Sequence, residues 1–229
     1  MNGAMPGTIG LDGARAVLTA GGPVVVPHPW PLPFGLVGRD PRAVNEAKHR
    51  PAQQSVAFWA HRADTRADTG PALALGAAEL KLLEELLTQE QLTVLVPVAT
   101  HRQPPPCLAP ATLDGWALLF GGRWQPLDAL LDEFPVLYAT SANLTGQPPV
   151  GTTEEALAAF GGATPVLHLA DPPELAAEQR RPGRASTTTV RLHTGGRMTV
   201  HRLGIQDAAH PDPDAYLRHL AAQYGGTAG

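Results

Sequence analysis

Three stretches of the chain combine residue types that handle anions. Lys48-His49-Arg50 stands immediately before Pro51. An ammonium point charge two residues from a guanidinium fork can act as a phosphate clamp, because arginine offers parallel N–H donors and lysine a compact charge. The same pair at a helix C-terminus can also simply offset the helix dipole. Ser141-Ala142-Asn143-Leu144-Thr145-Gly146 directly follows an apolar run over residues 135–140. Small polar residues just past a strand are where open α/β sheets bind ligands, and they equally build ordinary turns. The third stretch pairs Ser186-Thr187-Thr188-Thr189-Val190 with Val200-His201-Arg202-Leu203-Gly204, setting a guanidinium near close backbone. Residues 180–202 hold six arginines and no acid. That run reads either as a solvated basic face or as an anion site for phosphate or RNA.

The elements that must position these groups follow from periodicity and punctuation. Leu11, Ala14, Val17 and Leu18 recur at helical spacing, so residues 10–20 are expected to form a helix ended by Gly21 and Gly22. Residues 24–26 suit a buried strand. Four prolines in residues 27–33 exclude both helix and central strand. Asp40 caps a helix over residues 41–48 with Pro41 at its first position, which places Lys48 at the helix end. Strands are expected at 55–60, 92–98, 116–120, 135–140, 166–169, 187–192 and 198–202. Helices are expected at 80–87 and 126–134, and at 152–160, where Thr152 and Glu155 have capping-box spacing. Residues 61–70 read as a polar loop and 101–110 as a proline-rich one. The tail from Gln206 adds a short helix near 216–223 and then frays. Alternating strands and helices make this an α/β chain.

Composition sets the outer limits. The 229 residues fit one large domain or two small ones, and 43% hydrophobic residues supply a core. Gly and Pro, 24 of each, argue for many turns and against a simple helical bundle. Charged residues are 17% and the net charge is −4, so the chain as a whole is no obvious nucleic-acid binder. The single cysteine, Cys107, excludes an intrachain disulfide and a cysteine-based zinc site, and no protein-held metal is expected. No apolar run reaches the roughly 18 residues of a membrane span. The start, MNGAMPGTIG, has no basic and apolar leader pattern. The expected location is cytoplasmic, with no membrane partner.

In order and spacing these stretches resemble the YrdC-like threonylcarbamoyl-adenylate synthases. The resemblance runs through Gly21-Gly22-Pro23-Val24-Val25-Val26, Phe34-Gly35-Leu36, Lys48-His49-Arg50-Pro51, Ser141-Ala142-Asn143-Leu144-Thr145-Gly146-Gln147-Pro148, Thr187-Thr188-Thr189-Val190 and Val200-His201-Arg202-Leu203-Gly204. It implies a YrdC-like domain over residues 8–205, a twisted mixed sheet flanked by helices with a concave groove, and a helical tail over 206–229. It implies a reaction in which bicarbonate captures an amine as a carbamate, the carbamate attacks the α-phosphorus of ATP, and pyrophosphate leaves, as in the tRNA threonylcarbamoyladenosine pathway. Lys48 and Arg50 would be catalytic and hold phosphates. Ser141, Asn143, Thr187 and Arg202 would complete the nucleotide site, and Mg2+ would accompany the triphosphate.

The departures concern the amino-acid side. The family's Pro-Thr-Asp/Glu-Thr segment, which helps hold threonine, aligns with Pro29-Trp30-Pro31-Leu32, and Phe34 replaces its tyrosine. Trp30, Leu32 and Phe34 would then form an apolar substrate pocket, for an acceptor other than threonine, or threonine would be held elsewhere, for example by His28 or Arg123. Residues 116–121 offer no arginine in register with the family's Arg-x-Pro. Two other readings stand beside the enzyme: a non-catalytic relative that binds nucleotide, or RNA through residues 180–202, and a partner-binding protein using the proline loops.

Overall fold

The computed structural model describes residues 5–229. Four stretches of chain follow one another. The first holds β1 (Thr8–Ile9), α1 (Leu11–Thr19), β2 (Val24–Val26), β3 (Gly35–Gly38) and α2 (Pro41–Ala47). The second holds β4 (Ala57–Trp59), α3 (Ala63–Thr69), α4 (Ala77–Thr88), β5 (Thr93–Pro97), β6 (Thr112–Leu113) and β7 (Trp116–Phe120). The third holds α5 (Asp128–Leu131), β8 (Tyr138–Ser141), α6 (Thr153–Phe160), β9 (Val166–Leu167) and α7 (Pro173–Glu178). The last holds β10 (Thr189–Leu192), β11 (Arg197–Arg202), α8 (Pro213–Tyr224) and β12 (Thr227–Ala228). They gather into two compact units. One joins the chain up to Val56 with Trp124–Ser186, the other Ala57–Arg123 with Thr187–Gly229.

In the first unit the strand order is β1-β9-β2-β3-β8. β1, β9 and β2 run parallel, and the β2–β3 and β3–β8 pairs are antiparallel. The Val24–Val26 triplet is entirely buried, as is the α1 face carrying Ala14 and Leu18. In the second unit the order is β4-β7-β5-β10-β11-β12, with β6 beside β7. Parallel and antiparallel pairs alternate across it. Helix α4 covers this sheet with Leu82, Leu83, Leu86 and Leu87, all buried. The architecture is α/β with mixed sheets and flanking helices, as expected.

Local differences have local causes. Residues 63–69 are helical rather than loop. Their sequence, ADTRADT, buries only Thr65 and Thr69, so no apolar stripe announced them. Side-chain bonds hold the turn instead: Thr69 Oγ1 donates to the Thr65 carbonyl, and Arg66 reaches the Ala60 carbonyl and Glu84. Helix α5 is only four residues long, preceded by a 3-10 turn, and α7 was not expected because none of its side chains is buried. The C-terminal helix begins at Pro213, capped by Asp212, and buries Tyr216, Leu217 and Leu220. The chain does not fray after it: Thr227–Ala228 pairs with β11.

Gly121 marks the tightest packing in the second unit. A Cβ there would lie 2.1 Å from the Leu87 carbonyl oxygen, which is backbone and cannot rotate away. Gly121→Ala should therefore lower stability by about 1–3 kcal/mol, the cost of overpacking. Urea unfolding reads this directly, and an unchanged midpoint would show that the α4 end is loosely packed.

Candidate functional site

Helix α2 sets the first half of the site. Asp40 accepts a hydrogen bond from the Arg42 amide and Pro41 starts the helix. Lys48 closes it as C-cap. His49 then takes a left-handed conformation (φ 54°), which reverses the chain so that the Arg50 amide donates to the Asn45 carbonyl at 3.1 Å. Asn45 organises this turn. It is fully buried, and its Nδ2 donates to the Ala52 and Gln54 carbonyls at 3.0 and 2.8 Å. Its Oδ1 accepts from Arg50 Nε. The other end of that guanidinium is different: Arg50 Nη2 is buried and has no hydrogen-bond partner among the described residues. Burial lowers the Arg50 pKa, a sign of a cation drawn out of water.

Strand β8 brings the second half. It pairs with β3 so that Ser141 lies opposite Gly35 and Thr140 opposite Leu36. Past its end the Ala142 amide donates to the Phe34 carbonyl. Lys48 is 4% exposed, and its ammonium donates to the Ser141 carbonyl (2.6 Å), Asn143 Oδ1 (2.8 Å) and Thr140 Oγ1 (3.3 Å). Ser141 Oγ donates to the same Asn143 Oδ1 at 2.8 Å. Asn143 Nδ2 donates to the Leu144 and Gln147 carbonyls, and Thr145 Oγ1 donates to the Lys48 carbonyl at 2.9 Å. Lys48 and Asn143 are 95 residues apart in sequence, and one hydrogen bond joins them.

The other sequence-predicted residues lie as follows. Phe34 is fully buried and Leu32 is 3% exposed. Trp30 is exposed, with the Arg181 guanidinium 3.7 Å above its ring centroid and its indole N–H on the Pro182 carbonyl. The amides of Trp30, Leu32 and Phe34 go to Glu178 Oε1, the Pro29 carbonyl and the Val150 carbonyl. Arg184 Nη1 donates to the carbonyls of His28 and Leu32. Thr187 and Arg202 belong to the second unit, where Arg202 donates to the Thr187 carbonyl and Thr187 Oγ1 meets Thr93 Oγ1. Arg123, in the same unit, donates to the His61 carbonyl. Of the six arginines, Arg180, Arg181 and Arg184 belong to the first unit and Arg191, Arg197 and Arg202 to the second. Among the described residues no group of three or more His, Cys, Asp or Glu side chains is placed to hold a metal ion.

No protein-family model matches the sequence, and no curated protein matches it. Solved structures do. The chain is 13% identical to E. coli YciO, with TM-score 0.62 over 85% of this chain and 89% of that one. It is 19% identical to P. abyssi Sua5 complexed with L-threonine, with TM-score 0.58 over 80% of this chain. It is 16% identical to full-length HypF in a phosphate- and nucleotide-bound form, with TM-score 0.60, covering 90% of this chain and 30% of HypF.

The chain has the YrdC-like fold.

It spans about half the length of the Sua5 chains it matches, 56% and 50%. Sequence reasoning missed Asn45, and it named Thr145 and Arg184 only within the 141–146 stretch and the basic run, not as groups that hold backbone in place. Asn45 carried a faint signal, a weak helix former three residues before Lys48 on a helix otherwise well capped. The holding role of Arg184 carried none, since its partners are backbone carbonyls.

His28 gives the first unit a pH dependence. It is 3% exposed, and Gly35 packs on its ring: a Cβ there would lie 2.4 Å from Nε2. Burial, with a smaller push from Arg184, lowers its pKa from 6.5 to about 3. The folded chain thus holds His28 neutral while the unfolded chain protonates below 6.5, so stability present above that pH is lost as pH falls. The loss should approach about 1.4 kcal/mol per pH unit below 6.5. Urea titrations at descending pH should show a steeper loss of stability in the native chain than in His28→Gln, since His168 and His193, also lowered, remain in both. Equal slopes would mean that His28 is protonated in the fold.

Proposed function

We propose that this chain is a divergent YrdC-like enzyme that makes a carbamoyl adenylate from ATP, bicarbonate and a small amine or amino acid. The observation that carries the proposal is the buried Arg50 Nη2 without a partner, two residues from the Lys48–Ser141–Asn143 junction. A guanidinium nitrogen withdrawn from water and left unbonded costs about 1–3 kcal/mol, and a phosphate oxygen would recover it. The bound L-threonine of Sua5 and the bound phosphate and nucleotide of HypF are in keeping with such a ligand on this fold.

In this reading bicarbonate and the amine condense to a carbamate and water. A carbamate oxygen then forms a bond to the α-phosphorus as the bond to the bridging oxygen breaks, and pyrophosphate carries the electron pair away. Positioning and charge supply the catalysis. Arg50 presents a pre-oriented donor to the phosphate, fixed by Asn45 through Nε. Lys48 supplies a buried positive charge and holds the Ser141-Ala142-Asn143 turn, whose hydroxyl and amide would meet nucleotide and carbamoyl oxygens. Magnesium neutralises triphosphate charge when bound, and the described side chains form no carboxylate cage for it.

The acceptor side reads as closed to threonine. Pro29, Pro31 and Pro33 have no amide hydrogen, and the amides of Trp30, Leu32 and Phe34 are already bonded. The carbonyls of His28 and Leu32 are taken by Arg184, that of Pro31 by the Ala185 amide. An acceptor group placed here would find no free amide donor, so an oxygen that needs one would lose water without a replacement, costing about 1–3 kcal/mol per group.

The test is incubation with ATP, labelled bicarbonate and a panel of amino acids and amines, with detection of labelled adenylate and pyrophosphate. An apolar or small acceptor should give product, with threonine poor or inert. No ATP turnover with any acceptor would leave a nucleotide-binding relative. Arg50→Gln should weaken ATP binding by about 1.5–3 kcal/mol, the worth of a charged hydrogen bond. Calorimetry checks this on protein whose thermal unfolding is unchanged, and equal affinity would remove Arg50 from the site.

A further inference from the structure

The second unit contains a cavity of about 880 Å³ that none of Lys48, Arg50, Ser141 and Asn143 lines. That volume falls within the range of about 300–1,000 Å³ typical of small-molecule sites. Its walls come from α3, α4 and the segment between them, closed by Ala60, His101, Arg102 and Leu119. They are mainly apolar, with Leu80, Leu83 and Leu87 on the α4 side and small residues, Ala63 and Ala67, on the α3 side. The space opens to solvent past Ala63, Ala67, Lys81 and Arg102, which are exposed.

The polar groups on the wall are mostly of one sign. Arg66, Lys81 and Arg102 line it, against the single carboxylate of Glu84. Glu84 is already bonded to Arg66 Nη2 at 3.0 Å, while Arg66 Nη1 donates to the Ala60 carbonyl at 2.9 Å. These two bonds fix the guanidinium. Its Nε is buried and has no hydrogen-bond partner among the described residues. Lys81 and Arg102 are exposed, and neither pairs with a carboxylate among the described residues.

The geometry points to a second ligand site for an amphipathic organic carboxylate, an alkyl or aryl acid. Its apolar body lies against Leu75, Leu80 and Ala67, and its carboxylate meets Lys81 and Arg102 beside Arg66. A neutral molecule of the same shape would leave Lys81 and Arg102 without a counter-charge. Inorganic phosphate would leave the apolar wall uncovered.

Isothermal titration of the full chain with decanoate, in the absence of nucleotide, tests this without reference to the proposed reaction. Decanoate should bind saturably at one site, with a dissociation constant of about 10–100 µM. 1-Decanol and inorganic phosphate should each bind at least about tenfold more weakly, as the loss of a charged hydrogen bond or of apolar burial requires. Two variants at exposed positions should also weaken decanoate about tenfold or more: Ala67→Trp by filling the cavity, and the double variant Lys81→Glu with Arg102→Glu by reversing its charge. Circular dichroism confirms that each is folded, and either one alone suffices if the other is not. Absence of saturable binding, equal affinity for decanol, or full affinity in the folded variants would overturn the site.

Discussion

An ammonium group that is 4% exposed must place its N–H donors on oxygen or cost several kcal/mol. Lys48 meets that requirement with the Ser141 carbonyl, Asn143 Oδ1 and Thr140 Oγ1. The constraint runs in both directions. The turn after β8 needs the lysine as much as the lysine needs the turn, because Ser141 and Lys48 share one acceptor on Asn143. Thr145 closes the loop by returning a hydrogen bond to the Lys48 carbonyl. The end of α2 and the end of β8 are therefore one object. The orientation of Arg50 depends on it, since the residues between are a helix cap and a left-handed His49.

A second constraint shapes the neighbouring segment. Prolines at 29, 31 and 33 remove every second amide donor, so the loop cannot join a sheet and is held largely through its carbonyls. Arg184 does this, with Nη1 on His28 and Leu32 and Nη2 on the Glu178 carbonyl. Burying that guanidinium lowers its pKa, and its charge in turn helps keep His28 neutral. The amide donors of Trp30, Leu32 and Phe34 are spent on the protein itself, and Leu32 and Phe34 lie in the core.

Much of this was legible in the sequence, for identifiable reasons. Asp40 and Pro41 fixed the start of α2, and with it the position of Lys48. The apolar run ending at Thr140 fixed the strand that delivers Ser141 and Asn143. Those signals are local, and local signals survive in a single sequence. What was not legible depends on distant chain. The ADTRADT helix has no apolar period and is held by Arg66 reaching Ala60 and Glu84. The pairing of Thr227–Ala228 with β11 depends on where α8 ends. Asn45 reads in sequence as a weak helix former and no more, and only the fold shows three of its hydrogen bonds converging on the turn behind Arg50. Leu32 and Phe34 were legible as apolar but not as core, because an apolar pocket wall and a core look alike in sequence.

The central claim is that the end of α2 and the turn after β8 together hold a nucleotide phosphate. A crystal structure of the chain with a non-hydrolysable ATP analogue tests it most directly. The account predicts a phosphate oxygen within about 3 Å of Arg50 Nη2, hydrogen-bond distance, with the Lys48–Asn143 bond retained beside it. A nucleotide bound with its phosphates on other residues, while Arg50 Nη2 stays unbonded, would contradict it.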